Sequence, residues 1–262
     1  MLTIDKPARL VSIRNSQVTG LPPEDVEYPE SDGQPMAETD THLEQMVDAL
    51  MHPLKERYRQ DADVYISGNL FLYYEEGNPR AVVAPDVFVV FGVPKKLRRT
   101  YKLWEEGQPP DIVFELTSRK TYRDDLSDKR ILYEELGVRE YILFDPLRDY
   151  LRPPLQGFRL KEDGYYQPLI PDNLPGGEWE LDSEVLGLTL QTAGSFLRLY
   201  DPQAERYLLS RAEEAEARRQ AEARQRQAEA RQHQAESQLA QEIAARRALE
   251  DELARLRAQL DK

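Results

Sequence analysis

The sequence predicts an α/β domain, a mixed sheet core flanked by helices, followed by a long C-terminal coiled-coil helix. Three observations carry that reading. AVVAPDVFVVFG (81–92), DIVFELTS (111–118) and EYILFDP (140–146) are apolar runs of strand length, rich in β-branched and aromatic residues. DDLSDKRILYEELGV (124–138), between the last two, sets Leu126, Ile131, Leu132 and Leu136 at helical spacing and ends at Gly137. Composition then changes near position 200. All 18 prolines except Pro202, and every aromatic except Tyr200 and Tyr207, precede that point, and the rest of the chain is built from Ala, Glu, Gln and Arg. Only the first part can bury a sizeable core.

In chain order, residues 1–37 form an arm rich in Pro and acid (PPED, YPE, SDGQP), with only short apolar patches such as LVSI. It either stays disordered or folds against the domain and shields its basic residues. The domain spans 38–200. It opens on an amphipathic helix, with Leu43, Met46, Val47, Leu50, Met51 and Leu54 on one face behind the capping candidates Thr39 and Asp40. VYISGNLFLYY is a strand broken at Gly68 and Asn69, and EEGNPR is the turn after it. The three apolar runs come next. A strand, a helix-length crossover and a strand imply a parallel pair with a right-handed connection. Residues 155–190 read as a hairpin and short strands that trim the sheet or lie beside it. In 201–262 the heptads RQAEARQ and HQAESQL place Ala221, Ala228 and Ala235 seven apart, then hand over to Leu249, Leu253, Leu256 and Leu260. That seam is poor until its leucine end, and it favours an oligomer, a homodimer first, through 211–262.

The totals exclude several classes. No stretch approaches the roughly 20 apolar residues of a membrane span, and the N-terminus has no leader pattern, so a cytoplasmic protein is expected. Absence of cysteine removes disulfides, a thiolate nucleophile and Cys-ligated zinc. His42, His52 and His233 are too dispersed for a zinc triad, and neither G-x-S-x-G nor a phosphate-cradling loop occurs. Formal charge is −13, and residues 1–200 hold 23 Lys+Arg against 35 Asp+Glu. Indiscriminate coating of DNA is therefore disfavoured. The stretch from Lys95 to Arg130 is the exception, with ten basic residues against seven acidic ones.

Two acids interrupt apolar strands, Asp86 after Pro85 and Glu115 within IVFEL. Burying an unpartnered carboxylate is costly, so two on neighbouring strands suggest an oxygen-ligated Mg²⁺ (or Mn²⁺). Either acid alone could simply cap a turn or meet an arginine.

The succession APDVFVVFG, DIVFELTS, DDLSDKRILYEELGVREYILFDP resembles the Uma-two family of restriction-type endonucleases, from about Thr39 to about Leu190. The resemblance implies the restriction-endonuclease-like fold of the PD-(D/E)XK superfamily and metal-dependent hydrolysis of phosphodiesters in DNA. It also implies catalytic roles for Asp86, Glu115 and Lys129, with Asp86 and Glu115 on the metal. Ser118, Asp125, Lys120 and His42 are its accessory candidates, and Glu38 or Glu44, beside His42, could reach the metal. One departure stands out. Glu115-Leu116-Thr117 puts threonine where the superfamily signature has lysine, and the resemblance moves that role to Lys129 on the following helix, with Lys120 second. Without it, Lys129 would be taken as a helix lysine paired with Asp125 four residues earlier. Ser118-Arg119-Lys120-Thr121 replaces the family's Ser-Pro-Ser-Thr and adds two positive charges. The alternative to an endonuclease is a non-catalytic module of the same fold that recruits a protein partner through its coiled coil; RNA or a structured junction is a third substrate class.

Overall fold

A computed structural model describes residues 26–31, 33 and 39–260, with side chains described to position 250 except at 248. The chain divides into two units, Met1–Arg211 and Ala212–Lys262.

The first unit starts with helix α1 (Asp40–Glu44), which runs through Gln45–Met51 into α2 (His52–Arg57). Thr39 caps it, its hydroxyl accepting the His42 amide. Across the middle segment the turns are wide, and the His52 amide donates to the Val47 carbonyl five residues back. Pro53 accounts for this, having no N–H for the Ala49 carbonyl and a ring that collides with it. The helix buries Met46, Leu50 and Leu54.

Seven short elements come after it: β1 (Val64–Ser67), β2 (Leu72–Tyr73), β3 (Val82–Val83), β4 (Val87–Phe91), β5 (Tyr101–Lys102), α3 (Leu103–Glu106) and β6 (Ile112–Leu116). Then come α4 (Tyr122–Leu126), α5 (Asp128–Leu136), β7 (Glu140–Phe144), β8 (Leu155–Leu160) and β9 (Tyr166–Leu169). The main sheet has the order β1-β4-β6-β7-β8-β9. Its β6 and β7 are parallel and its other pairs antiparallel. The parallel pair is joined through α4 and α5, the expected crossover. β2, β3 and β5 form a separate three-stranded sheet.

Strand parity sorts the side chains onto two faces. Val87, Val89, Ile112, Phe114, Leu116, Ile142 and Phe144 share a core with Met46, Leu50 and Leu54 of the N-terminal helix. Phe88, Val90, Val113, Tyr141 and Leu143 share the other with Tyr133 of α5. Asp86 and Glu115 have the parity of this second face.

The chain goes on as β10 (Asp172–Leu174), β11 (Glu178–Ser183), β12 (Leu188–Ala193), β13 (Phe196–Asp201) and β14 (Arg206–Tyr207), a second, antiparallel sheet of five strands. Its Leu181, Leu188, Leu190, Leu197 and Leu199 complete the first core. The two sheets are latched by Glu140, fully buried at the start of β7. Its Oε1 accepts from Arg159 Nε and from the Glu184 amide, each at 2.9 Å, and its Oε2 accepts the Ser183 hydroxyl.

Three local readings change in detail. VYISGNLFLYY is two strands in different sheets, because Gly68 and Asn69 (φ 48°) turn the chain. The crossover helix is kinked at Ser127 (φ −119°, ψ −87°), making α4 and α5. Of the arm, residues 1–25 and LVSI lie outside the described residues, but Tyr28 packs edge-on to Tyr73 with centroids 4.9 Å apart and Glu30 pairs with Arg99 at 2.5 Å. The described part of the arm thus lies on the domain and engages two of its basic residues, Arg99 through Glu30 and Lys102, whose Nζ lies 4.8 Å from the Tyr28 ring centroid.

The second unit is a single helix, the body of α6 (Arg211–Leu260). Leu239, Ile243 and Leu249 are exposed along it. Among the described residues no helix is long and apolar enough to cross a membrane.

Candidate active site

β6 is central in its sheet and buried along its whole length, so Glu115, 2% exposed, stands in a low-dielectric wall. The helix stripe facing it explains how it is tolerated. Lys129 and Tyr133, four apart on α5, lie on one side of that helix, and Asp125, at the end of α4, is brought to them by its ion pair with Lys129. Lys129 Nζ lies 2.7 Å from Glu115 Oε2 and 2.9 Å from Asp125 Oδ1. The Tyr133 hydroxyl donates to Glu115 Oε1 at 2.8 Å. Asp86 reaches the same place from the residue before β4, whose Val87 pairs with Phe114, and its Oδ2 accepts the Leu116 amide at 2.6 Å. Two acids thus pair with one ammonium, and Asp86, bonded to the Leu116 amide, feels its charge from nearby.

The electrostatics result from that imbalance. Burial raises the Asp86 carboxyl, Lys129 and the Leu116 amide pull it back, and the Asp125 charge adds to the rise. Glu115 is pushed up to about 8 by burial, with Lys129 opposing and Asp86 and Asp125 reinforcing. Asp125 is raised by burial against Lys129. For Lys129, burial works to lower the ammonium, but Glu115, Asp125 and Asp86 outweigh it and the net shift is upward. Such a pocket binds protons, or a cation in their place.

A hard divalent cation fits the donor chemistry, which is all carboxylate oxygen and under-neutralised. Among the described residues no three or more His, Cys, Asp or Glu side chains are already gathered at metal-ligand spacing. Asp86 and Glu115 would therefore leave further positions to backbone carbonyl, water and phosphate, the usual habit of Mg²⁺.

The accessory candidates divide. Asp125 is fully buried and joins the site through Lys129. Ser118, 4% exposed, accepts the amides of Lys120 and Thr121 at 3.3 Å and holds the turn after β6, on which Lys120 is exposed. His42 is buried with Nε2 3.2 Å from the Thr117 carbonyl and Nδ1 2.7 Å from the Thr39 hydroxyl. A carbonyl only accepts, so Nε2 carries the proton and the ring ties α1 to the end of β6. Glu44 is exposed, and Glu38 lies outside the described residues.

Two supporting residues escape a reading of the sequence. Tyr133 is one, signalled only by its place four residues after Lys129. Gly68 is the other. A Cβ there would land on the Asp86 carbonyl, and the neighbouring Asn69 amide donates to the Pro85 carbonyl at 2.8 Å. A glycine interrupting a strand pattern is the available signal for such close backbone approach.

Comparison with known proteins gives the family. A crystal structure described as a "putative nuclease belonging to DUF820", from Anabaena variabilis, is similar over 57% of this chain and 76% of its own, with 10% identity and a TM-score of 0.37. No curated protein matches the chain. The family model Uma2, described as "Putative restriction endonuclease", matches residues 17–193, starting inside the Pro-rich arm. The chain belongs to the Uma2 family of restriction-endonuclease-like nucleases.

Proposed function

We propose that this protein is a metal-dependent endonuclease that hydrolyses phosphodiester bonds in DNA. One observation carries the reading: Glu115, buried in β6, and the half-buried Asp86, just before the neighbouring β4, stand beside an ammonium 2.7 Å from Glu115. In this reading Asp86 and Glu115 hold Mg²⁺ (or Mn²⁺). When bound, the ion polarises the phosphate and acidifies its water.

The chain's own residues do the rest. Lys129 keeps its charge and places it where negative charge grows on the phosphate. Asp125 holds that ammonium at 2.9 Å, and Tyr133 fixes the rotamer of Glu115 by occupying Oε1. The lysine missing from position 117 is supplied by the helix, because α5 packs its Lys129 stripe over the strand.

The test is Mg²⁺- or Mn²⁺-dependent cleavage of plasmid DNA by the intact protein, Asp86→Ala, Glu115→Ala and Lys129→Ala, with calorimetric titration of Mn²⁺ alongside. We expect the acid variants to lose both cleavage and metal binding, and Lys129→Ala to lose cleavage while still binding metal. Cleavage that survives Asp86→Ala would overturn the assignment.

One observation favours a second reading, a nuclease-fold module without catalysis that recruits a partner through residues 211–262. Both oxygens of Glu115 are already engaged, by Lys129 and Tyr133, so the acid is partly neutralised from within. Folded protein that binds metal but cuts no DNA or RNA would favour this alternative.

A further inference from the structure

The loops leaving β6 and β7 start at the edge that carries Glu115, because these parallel strands are in register with Glu115 opposite Leu143 and Leu116 opposite Phe144. The Thr117 amide still reaches the Phe144 carbonyl at 2.8 Å. Beyond it the two chains diverge, and each is pinned at once. Asp145, fully buried, accepts the amides of Leu147, Tyr150 and Leu151 at 3.2, 2.5 and 2.9 Å. Ser118 and Thr121 pin the other loop through the 3.2 Å bond from the Ser118 amide to the Thr121 hydroxyl. The result is a stacked ring pair, Tyr122 on Tyr150, with centroids 5.0 Å apart and planes at 21°. The Arg123 guanidinium lies 5.5 Å from the Tyr122 centroid, and its Nε donates to the Tyr122 hydroxyl at 2.9 Å.

Neither ring belongs to the two apolar cores, and both stay partly exposed. Arg119, Lys120 and Arg123 beside them are exposed. The carboxyl ends of parallel strands are where α/β sheets receive ligands. Exposed cations there offset the repulsion between phosphates and the acidic pocket. Aromatic faces with a guanidinium add stacking, and that helps only an unpaired base, since a base within a duplex has both faces covered.

We propose that Tyr122 and Tyr150, with Arg119, Lys120 and Arg123, grip an unpaired stretch of the substrate strand beside the scissile phosphate. The substrate class is then nucleic acid with single-stranded nucleotides flanking the cut. This rests on the nuclease reading of the neighbouring acids but does not need the chemistry to proceed, so binding can be measured in EDTA.

The experiment titrates a labelled single-stranded oligonucleotide and the matching duplex with intact protein by fluorescence anisotropy. A second oligonucleotide carries 2-aminopurine, whose emission falls when it stacks. Tighter binding of the single strand, with quenching, is expected. Tyr150→Ala, checked for native circular dichroism, should weaken single-strand binding about tenfold, and Tyr150→Phe should restore it. Arg119→Ala and Arg123→Ala should each lower the slope of log K against log salt by about 0.7. Equal affinity for both forms, absence of quenching, or full single-strand binding by Tyr150→Ala would overturn the grip. The quenching arm uses unmodified protein and so stands even if a variant fails to fold. Loss of metal-dependent cleavage with this binding intact would sink only the nuclease reading. Cleavage without single-strand preference would sink only the grip.

Discussion

The Tyr133 hydroxyl is the neutral donor to Glu115 among groups that otherwise carry charge, and it is fully buried, so water cannot replace it. Tyr133→Phe removes that donor at almost constant volume. Hydrogen bonds to charged groups contribute about 1.5–3 kcal/mol, so the ionised, cation-ready form of Glu115 should weaken by that order. We expect Mn²⁺ affinity, read by calorimetry, to fall roughly tenfold or more. Unchanged affinity would remove Tyr133 from the site. Gly68 fails differently. In Gly68→Ala the new methyl displaces the Asp86 peptide itself, so metal binding and stability should fall together.

At the scale of elements, Glu140 is a joint whose failure can be measured. It is fully buried and holds β7, β8 and the end of β11 through Arg159, Ser183 and the Glu184 amide. Removing the arginine strands a buried charge, which costs about 3–5 kcal/mol. Arg159→Ala should therefore lower the urea midpoint steeply, and Arg159→Ala with Glu140→Gln should recover part of it. A second joint fixes the loop between β4 and β5. Arg98 grips Glu106 with two bonds of 2.7 Å and lies 4.0 Å from the Tyr65 ring centroid. Arg98 holds the Glu106 carboxyl below its ordinary 4.5, against the upward push of burial. The pair's contribution is full above pH 4.5 and is lost as pH falls through the lowered folded value. Urea midpoints should thus drop more between pH 5 and 3 in the native protein than in Glu106→Gln. Equal drops would mean the pair is screened. These joints also mark the limit of what was legible. Asp86 and Glu115 show in the sequence because an acid interrupts an apolar run, and the β6–β7 crossover shows because its helix is local. Glu140 sits at the edge of its run and looks like a solvated strand end, since its partners lie 19 to 44 residues away. Strands β10 to β12 are legible as short segments of 155–190, but β13 and β14 are not, and β14 stands where the coiled-coil helix is expected, which starts only at Arg211; that these strands pair with one another instead of with the main sheet is a tertiary choice. Tyr122 and Tyr150 meet only because Asp145 folds the loop back.

For the whole molecule the question is what the 50-residue helix of the second unit does. Its polar stretch is laced by pairs of the kind Arg218–Glu222 and Arg246–Glu250. Each contributes only about 0.3–0.5 kcal/mol, enough to favour a solvated helix and too little to specify a partner. The apolar seam is concentrated toward its end, where Leu249, Leu253, Leu256 and Leu260 alternate at spacings of four, three and four. Pairing driven from that end should be weak and concentration-dependent. Light scattering on the intact chain should give a mass that rises toward the dimer across the micromolar range. The double variant Leu249→Glu with Leu256→Glu should stay monomeric with its α/β domain unchanged. If two nuclease sites act on two strands, that variant should nick supercoiled plasmid and accumulate open circles, while the native protein goes on to linear product. A monomer that still linearises plasmid at the native rate would uncouple the helix from cleavage and leave recruitment of another protein as its role.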